Sequence, residues 1–140
     1  MAITTRDGFY RRTGNPRGKK YTVGGSVTVA VGDVVQIKEA SGSIILGVTS
    51  AEVLGVALEA SASGSTTPIL VDVAYPGDEF ECRVSTGTMA ATEIGDEADL
   101  ADEDSITLTE SNNDVLITGW DGTDTGKAYV TFKNLFHAGA

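Results

Sequence analysis

Cysteine and histidine are almost absent from the chain, whose 140 residues include one of each, Cys82 and His137. A single cysteine cannot form an internal disulfide, and one histidine with one cysteine is too few ligands for a zinc or other soft-metal site. Cys82 alternates with Phe80 and Val84, which indicates a core position rather than a reactive thiol. His137 lies three residues from the end, where a general base is hard to hold in place, so we expect it only to pack beside Phe136.

Sequence motifs of catalysis and of membrane insertion are also missing. The chain has no Gly-x-Ser-x-Gly nucleophile elbow and no phosphate-binding Gly-Lys-Ser/Thr loop. It has no apolar signal-peptide core and no apolar run long enough to span a bilayer. We therefore expect a protein that is not an enzyme, that has no metal or other cofactor, that does not contact a membrane, and that stays inside the cell where it is made.

Large apolar side chains are few, because aromatic residues make up 6% of the chain while all hydrophobic residues make up 41%. The core must then consist mainly of Val, Ile, Leu and Ala side chains. A chain of this length has the size of a single domain. Such a domain can fold alone, although oligomerisation would add apolar burial.

Positive charge is scarce, because ten basic residues against twenty acidic ones give a formal net charge of −10. A protein that binds nucleic acid by neutralising phosphates needs the opposite sign, so nucleic acid is not an expected partner. Six of the ten basic residues fall within residues 1–20, which contain one acidic residue, Asp7. This segment therefore carries +5 and leaves −15 for residues 21–140.

We predict that residues 1–23 form an extended basic arm in front of the body. Its glycines and the Asn15-Pro16 pair resist regular structure, while Phe9, Tyr10 and Tyr21 offer apolar contacts. The arm either lies on a partner or is a disordered tail. If it lies on a partner, the candidate binding residues are Arg6, Phe9, Tyr10, Arg11, Arg12, Arg17, Lys19, Lys20 and Tyr21.

Residues 24–140 consist of short β-rich runs separated by Gly, Ser, Asn and Asp clusters. Apolar residues occupy every second position in runs such as Val27–Val31, Ile69–Val73 and Phe80–Val84, and this period is typical of half-buried strands. Turn signals such as Pro76-Gly77-Asp78 separate the runs, and no long helix is visible. The pattern predicts an all-β fold, a small β-barrel or β-sandwich of short antiparallel strands with the extended N-terminal arm.

A faint internal duplication is present in this β-rich part. Val31-Gly32-Asp33 is echoed by Ile94-Gly95-Asp96, about 63 residues later, and Val53-Leu54-Gly55 is echoed within Val115–Gly119. One interpretation is a domain of two similar lobes, at about 27–75 and 90–133. The other is that Gly-Asp pairs recur because tight turns favour them.

Acidic residues are concentrated in the stretch 93–104, which has the wrong spacing for a twelve-residue calcium loop. We expect a solvated acidic face there rather than a calcium site. Asp121–Gly126 is predicted to be a hairpin loop, and the preceding Trp120 is a core anchor, an interface anchor or a sugar platform. The acidic residues of the stretch are Glu93, Asp96, Glu97, Asp99, Asp102, Glu103 and Asp104.

Several of these stretches resemble the head decoration, or capsid cement, proteins of tailed bacteriophages. They are Val31–Ile37, Val53–Ala60 and Ile94–Leu100, with Ile106–Thr109 behind the last, and the resemblance covers roughly residues 27–133. Proteins of that family are small β domains with similar Gly-Asp turns that lie on the outer shell. The Arg-rich start of this chain departs from the plainest members.

The resemblance implies a structural virion protein whose partner is the major capsid protein. It would bind the outer capsid surface as a dimer or trimer, after assembly in the host cytoplasm, and the basic arm would tether it to neighbouring capsid subunits. The alternatives are another virion component, such as a tail, neck or head-fibre part, and a free ligand- or carbohydrate-binding β module.

Overall fold

β-strands form nearly all of the regular structure. The computed structural model describes residues 7–38, 41–48 and 52–137; within these ranges it has no α-helix and one 3₁₀ turn, Ala91–Glu93. No helix in the described ranges could cross a membrane. The all-β prediction is confirmed. The strands are β1 (Phe9–Arg11), β2 (Gly18–Tyr21), β3 (Val34–Lys38), β4 (Ser43–Leu46), β5 (Gly55–Ala57), β6 (Ile69–Val73), β7 (Phe80–Thr86), β8 (Glu97–Asp102), β9 (Ser105–Thr107), β10 (Val115–Gly119) and β11 (Lys127–Phe132).

The last five strands form a closed ring, which we call the C-terminal barrel. Antiparallel pairing follows the order β7, β11, β10, β8 and β9. A parallel pairing between β9 and the second half of β7, with Ile106 opposite Val84, closes the ring. The first half of the same edge of β7 is covered by β1, where Phe9 lies opposite Cys82 and Arg11 opposite Phe80.

The strands from β2 to β6 form a second ring, which we call the N-terminal barrel. Antiparallel pairing follows the order β2, β6, β5, β3 and β4. A parallel bridge between Val23, just after β2, and Ile44 of β4 closes this ring. The bridge consists of two hydrogen bonds, in which Gly24 N–H donates to the Ile44 carbonyl at 2.9 Å and Ile44 N–H donates to the Thr22 carbonyl at 2.8 Å.

The two barrels have the same cyclic strand order, so that β2, β3, β4, β5 and β6 correspond to β7, β8, β9, β10 and β11. Both Gly-Asp turns use a glycine in the left-handed region, with φ of 94° at Gly32 and 97° at Gly95. The backbone bonds around these turns also correspond. Each of the four is 2.9 Å long: Gly32 N–H to Ala57 C=O, Ala57 N–H to Asp33 C=O, Gly95 N–H to Ile117 C=O, and Ile117 N–H to Asp96 C=O.

Each barrel has an apolar interior, and the N-terminal barrel contributes side chains to both. Val35 of β3 lies in the cluster inside the N-terminal barrel, with Ile44. The adjacent Val34 lies in the cluster that fills the C-terminal barrel, with Phe80 and Ile106. Successive side chains of a strand point to opposite faces, so β3 is buried on both faces where the barrels meet.

The described part of the predicted arm belongs to the body, which corrects the boundary placed at residue 23. β1 extends the sheet of the C-terminal barrel, and β2 is the first strand of the N-terminal barrel. The chain before β1 is held at the junction of the barrels, because Gly8 N–H donates to the Asp104 carbonyl and Phe9 N–H donates to the Gly32 carbonyl. The expected lobes at 27–75 and 90–133 likewise start too late, since β2 and β7 precede them.

One close approach within the N-terminal barrel gives a test of the packing. A methyl group on Gly55 would lie 2.1 Å from the carbonyl oxygen of Asp72, which is backbone and cannot rotate away. We expect Gly55→Ala to lower the free energy of unfolding by about 2–3 kcal/mol, the upper range for overpacking. The matched control is Gly25→Ala, whose methyl group meets nothing within 4 Å. Denaturant unfolding measures both, and equal stabilities would contradict the strand packing described.

Candidate partner-binding surface

Arg11, predicted to contact a partner, is buried in an ion cluster within the protein. Its Nε and Nη2 donate to the two carboxylate oxygens of Asp72, at 2.8 and 2.6 Å, and its Nη1 lies 3.1 Å from Asp78 Oδ1. Only 5% of the Arg11 side chain is exposed, against 2% for Asp72 and 10% for Asp78. The guanidinium also lies over the Phe80 ring, 5.2 Å from its centre. Arg11 is therefore a structural residue.

The ion cluster shifts the pKa values of Arg11 and Asp78. Hydrogen bonding to Asp72 raises the pKa of Arg11, against the opposing effect of burial. Burial alone would raise the pKa of Asp78, but hydrogen bonds from Arg11, from the Tyr75 N–H and from Arg17 hold it below its usual range. Arg11 and Asp78 are therefore both charged at neutral pH, and their opposite charges compensate each other inside the protein.

Three other residues of the predicted binding set also contact the body. Phe9 is 1% exposed, and its ring centre lies 5.3 Å from that of Phe132. Arg12 forms an ion pair with Glu79, and its guanidinium lies 3.5 Å from the centre of the Tyr129 ring. The Tyr10 hydroxyl donates to the Asp7 carbonyl at 2.7 Å. Arg6, a further member of the set, lies outside the described residues.

The remaining predicted residues lie along β2 and just before it. Arg17 pairs with Asp78, yet half of its side chain is exposed. Lys19 is exposed beside the half-buried Tyr21, with Nζ 5.6 Å from the ring centre. Lys20 is 64% exposed and only distantly paired, at 3.9 Å from Glu59. Among the predicted residues that the structure describes, these three cations present the most charge to the outside, since the side chain of Arg12 is 38% exposed and paired with Glu79.

Aromatic side chains from two other segments join these cations. The Tyr75 and His137 rings stack with centres 5.1 Å apart, and the Phe136 ring meets His137 edge-on at 5.0 Å. The Arg17 guanidinium lies 4.9 Å from the centre of the Tyr75 ring. A cavity of about 240 Å³ opens between these groups, lined by Arg17, Gly18, Lys19, Val73, Tyr75 and His137. We call Arg17, Lys19, Tyr75, Phe136 and His137 the basic–aromatic surface.

Three of the five residues of this surface, Tyr75, Phe136 and His137, were missed in the sequence. His137 and Phe136 were expected only to pack together near the chain end. In the structure the backbone before them is held by Val53, whose N–H donates to the Asn134 carbonyl and whose carbonyl accepts from Phe136 N–H, both at 2.8 Å. Tyr75 is 37% exposed and Phe136 44% exposed. The available signal was the adjacent pair Phe136-His137 in an aromatic-poor chain.

The acidic stretch has a structural role at one of its residues. Asp99 is 5% exposed, and its carboxylate accepts hydrogen bonds from the backbone N–H groups of Ser111, Asn112 and Asn113. These bonds hold the loop before β10, where Asn113 has a φ of 56°. Across residues 7–38, 41–48 and 52–137, no group of three or more His, Cys, Asp or Glu residues could hold a metal ion.

The structure also gives structural roles to Trp120, to the loop after it and to Cys82. Trp120 is half-buried against the interior of the C-terminal barrel, and its Nε1–H donates to the Asp124 carbonyl at 2.9 Å. In the following loop, backbone hydrogen bonds from Thr123 and Asp124 lower the pKa of Asp121 to about 2. Cys82 is 1% exposed, and burial raises the pKa of its thiol, so it is a core residue.

The Asp104 carboxyl, in the turn between β8 and β9, has a pKa near neutral pH. A hydrogen bond to Asp102, partial burial and neighbouring carboxylates raise the pKa of Asp104 to about 7. The folded protein then binds a proton that the unfolded chain, with a pKa of about 3.9, releases. Stability should therefore decrease as the pH rises from about 4 to 7 and level off above that. We expect Asp104→Asn to flatten this dependence between about pH 4 and 7. Thermal melts compared with Asp96→Asn on the exposed surface measure it, and an unchanged slope would contradict the assignment.

The ion cluster should dominate stability. Arg11→Ala leaves Asp72 and Asp78 buried without their main partner, which we expect to cost about 3–5 kcal/mol. The control Lys38→Ala removes an exposed cation and should change the free energy of unfolding by less than about 0.5 kcal/mol. Urea unfolding measures both variants. A loss below about 1 kcal/mol for Arg11→Ala, in the range of exposed pairs, would show that the cluster is solvated.

Comparison with protein-family models, with curated proteins and with solved structures gives no match to this chain.

Proposed function

We propose that this protein is a structural virion component that binds the outer surface of a bacteriophage capsid and stabilises it as a decoration protein. The observation that supports this most directly is the basic–aromatic surface, which is exposed on a chain with a net charge of −10. Cations at this surface would attract an acidic region of the major capsid protein. Aromatic rings beside them would supply the apolar contact area that anchors an interface.

The rigidity of the surface favours assembly. Arg17 is fixed by Asp78 and by the Tyr75 ring, and His137 is stacked on the same ring. A surface that is already ordered loses little conformational freedom when it binds. A protein that adds contacts across a preformed shell needs this property, because its own interface area is small.

Assembly as a dimer or trimer is part of the proposal. Val31, Val48 and Ile94 are between 43% and 50% exposed, and the chain has few large side chains for its own core. Contacts between subunits would cover such apolar groups and add burial. The capsid partner would set which symmetry axis the oligomer occupies.

A free ligand-binding β module is the second candidate, supported by one observation. A cavity of about 560 Å³ is lined by Ser26, Val27, Thr28, Ala30, Asp33, Leu46, Glu103 and Asp104. This volume falls within the range of small-molecule pockets, about 300–1,000 Å³. Its acidic lining would select a cationic ligand.

A binding assay on capsids tests the proposed function. Shells purified without this protein, from the virus that encodes it, are incubated with the full chain, and occupancy is measured by sedimentation. We expect Lys19→Glu to weaken binding by at least about fivefold, with the loss reduced at high salt because exposed charges are screened. Lys38→Glu is the control, since it makes the same charge change on another exposed strand end.

The outcomes test both the proposed function and the proposed contact surface. If the wild type shows no binding up to about 100 μM, its affinity is too weak for a specific complex at a stable interface. That result would contradict decoration. Equal losses for Lys19→Glu and Lys38→Glu would show that the basic–aromatic surface is not the contact.

A further inference from the structure

The repeated barrels make β2 and β7 equivalent strands. Each pairs antiparallel with the last strand of its own barrel, β2 with β6 and β7 with β11. Ala57 and Ile117, which correspond in the two barrels, lie opposite Val71 and Val130. Lys19 lies opposite Val71 and Phe80 lies opposite Val130. The segment Gly18–Lys20 therefore occupies the position in the N-terminal barrel that Glu79–Glu81 occupies in the C-terminal barrel.

The two equivalent edges differ in what covers them. The outer edge of Glu79–Glu81 is covered by β1 and the residue after it, because Tyr10 lies opposite Glu81 and Arg12 N–H donates to the Glu79 carbonyl. β2 is the terminal strand of its sheet, and among the described residues no strand pairs with the outer edge of Gly18–Lys20. All three of these residues are exposed. One barrel thus has an added strand at a position that is open in the other.

The backbone of β2 has the alternation that an added strand requires. Val73 N–H donates to the Arg17 carbonyl at 3.1 Å, so Arg17 and, two residues on, Lys19 face β6. Leu70, opposite Lys20, faces the other way, because its carbonyl accepts from Leu58 N–H at 2.9 Å and its N–H donates to Glu59 at 2.6 Å. The N–H and carbonyl groups of Gly18 and Lys20 consequently point away from the barrel.

We propose that the outer edge of Gly18–Lys20 binds an extended acidic segment of the partner as an added β-strand, in the manner in which β7 binds β1. The identification of that partner with the capsid protein depends on the proposed function. Backbone hydrogen bonds would supply the pairing, as in other cases of strand addition. The acidic character follows from the flanking cations Arg17, Lys19 and Lys20, of which Lys20 is 64% exposed and only distantly paired, at 3.9 Å from Glu59.

A second copy of this chain is a poor occupant of the same edge. Two β2 strands paired antiparallel would bring the lysine pairs of both copies together. Like charges directly opposite each other on paired strands are destabilising. The edge therefore favours an acidic partner over self-association.

Lys20→Pro tests the proposal because it removes an outward N–H and leaves the bonds between β2 and β6 in place. Lys20→Ala is the matched control, since it removes the same charge and keeps the N–H. On capsid shells we expect Lys20→Pro to lose at least about tenfold in affinity and Lys20→Ala about threefold or less, the range of an exposed ion pair. Equal affinities for the two variants would overturn the strand pairing.

A second measurement uses no capsid and no variant that could misfold. The peptide acetyl-Glu-Val-Glu-Val-Glu-amide is titrated into the full wild-type chain while amide exchange is followed by NMR, and the same peptide with Lys in place of Glu is the control. We expect slower exchange at Gly18 and Lys20 with the acidic peptide alone.

The two experiments fail independently. No change at these amides with the acidic peptide, together with capsid binding by Lys20→Pro at the wild-type level, would overturn the edge site and leave decoration intact. Protection by the acidic peptide with no capsid binding by the wild type would support the edge site and contradict decoration.

Discussion

The buried guanidinium of Arg11 is the interaction on which the arrangement of the two barrels depends. Its own strand, β1, pairs with the C-terminal barrel. Its bidentate partner Asp72 belongs to the N-terminal barrel, and its second partner Asp78 lies in the connection between the barrels. A charged group removed from water is tolerated only when its partners are in place. The cluster therefore favours one relative position of these three chain segments.

The same cluster explains why Arg11 was assigned to a partner-binding arm. The sequence shows six cations near the start and one local carboxylate, Asp7, which is the composition of such an arm. The compensating residues lie far along the chain, with Asp72 61 positions and Asp78 67 positions after Arg11. Composition records charge but not such distant pairs. The exposure of Arg17, Lys19 and Lys20, by contrast, could be predicted, because the nearby sequence has too few carboxylates to pair with all of them.

The strands were predictable because their signals are local. Alternation in Ile69–Val73 and Phe80–Val84 marks one buried face, and glycines such as Gly32 and Gly95 mark turns that need a positive φ. Ring closure was not predictable, since it depends on pairings such as Val23 with Ile44 and Val84 with Ile106. Nothing in the residues themselves specifies these partners. The aromatic part of the candidate surface was missed for a similar reason, because Tyr75 and His137 are brought together only by the fold.

The lysines of β2 have two effects that agree with each other. An exposed strand edge can pair with any other edge, and proteins commonly place lysines there to prevent aggregation. Lys19 and Lys20 would repel a second copy of this chain, as well as any partner that presents cations. An acidic strand meets no such repulsion and gains the attraction of both charges. Charge at this edge therefore disfavours pairing of two copies through β2 and leaves the backbone groups of Gly18 and Lys20 available to an acidic partner.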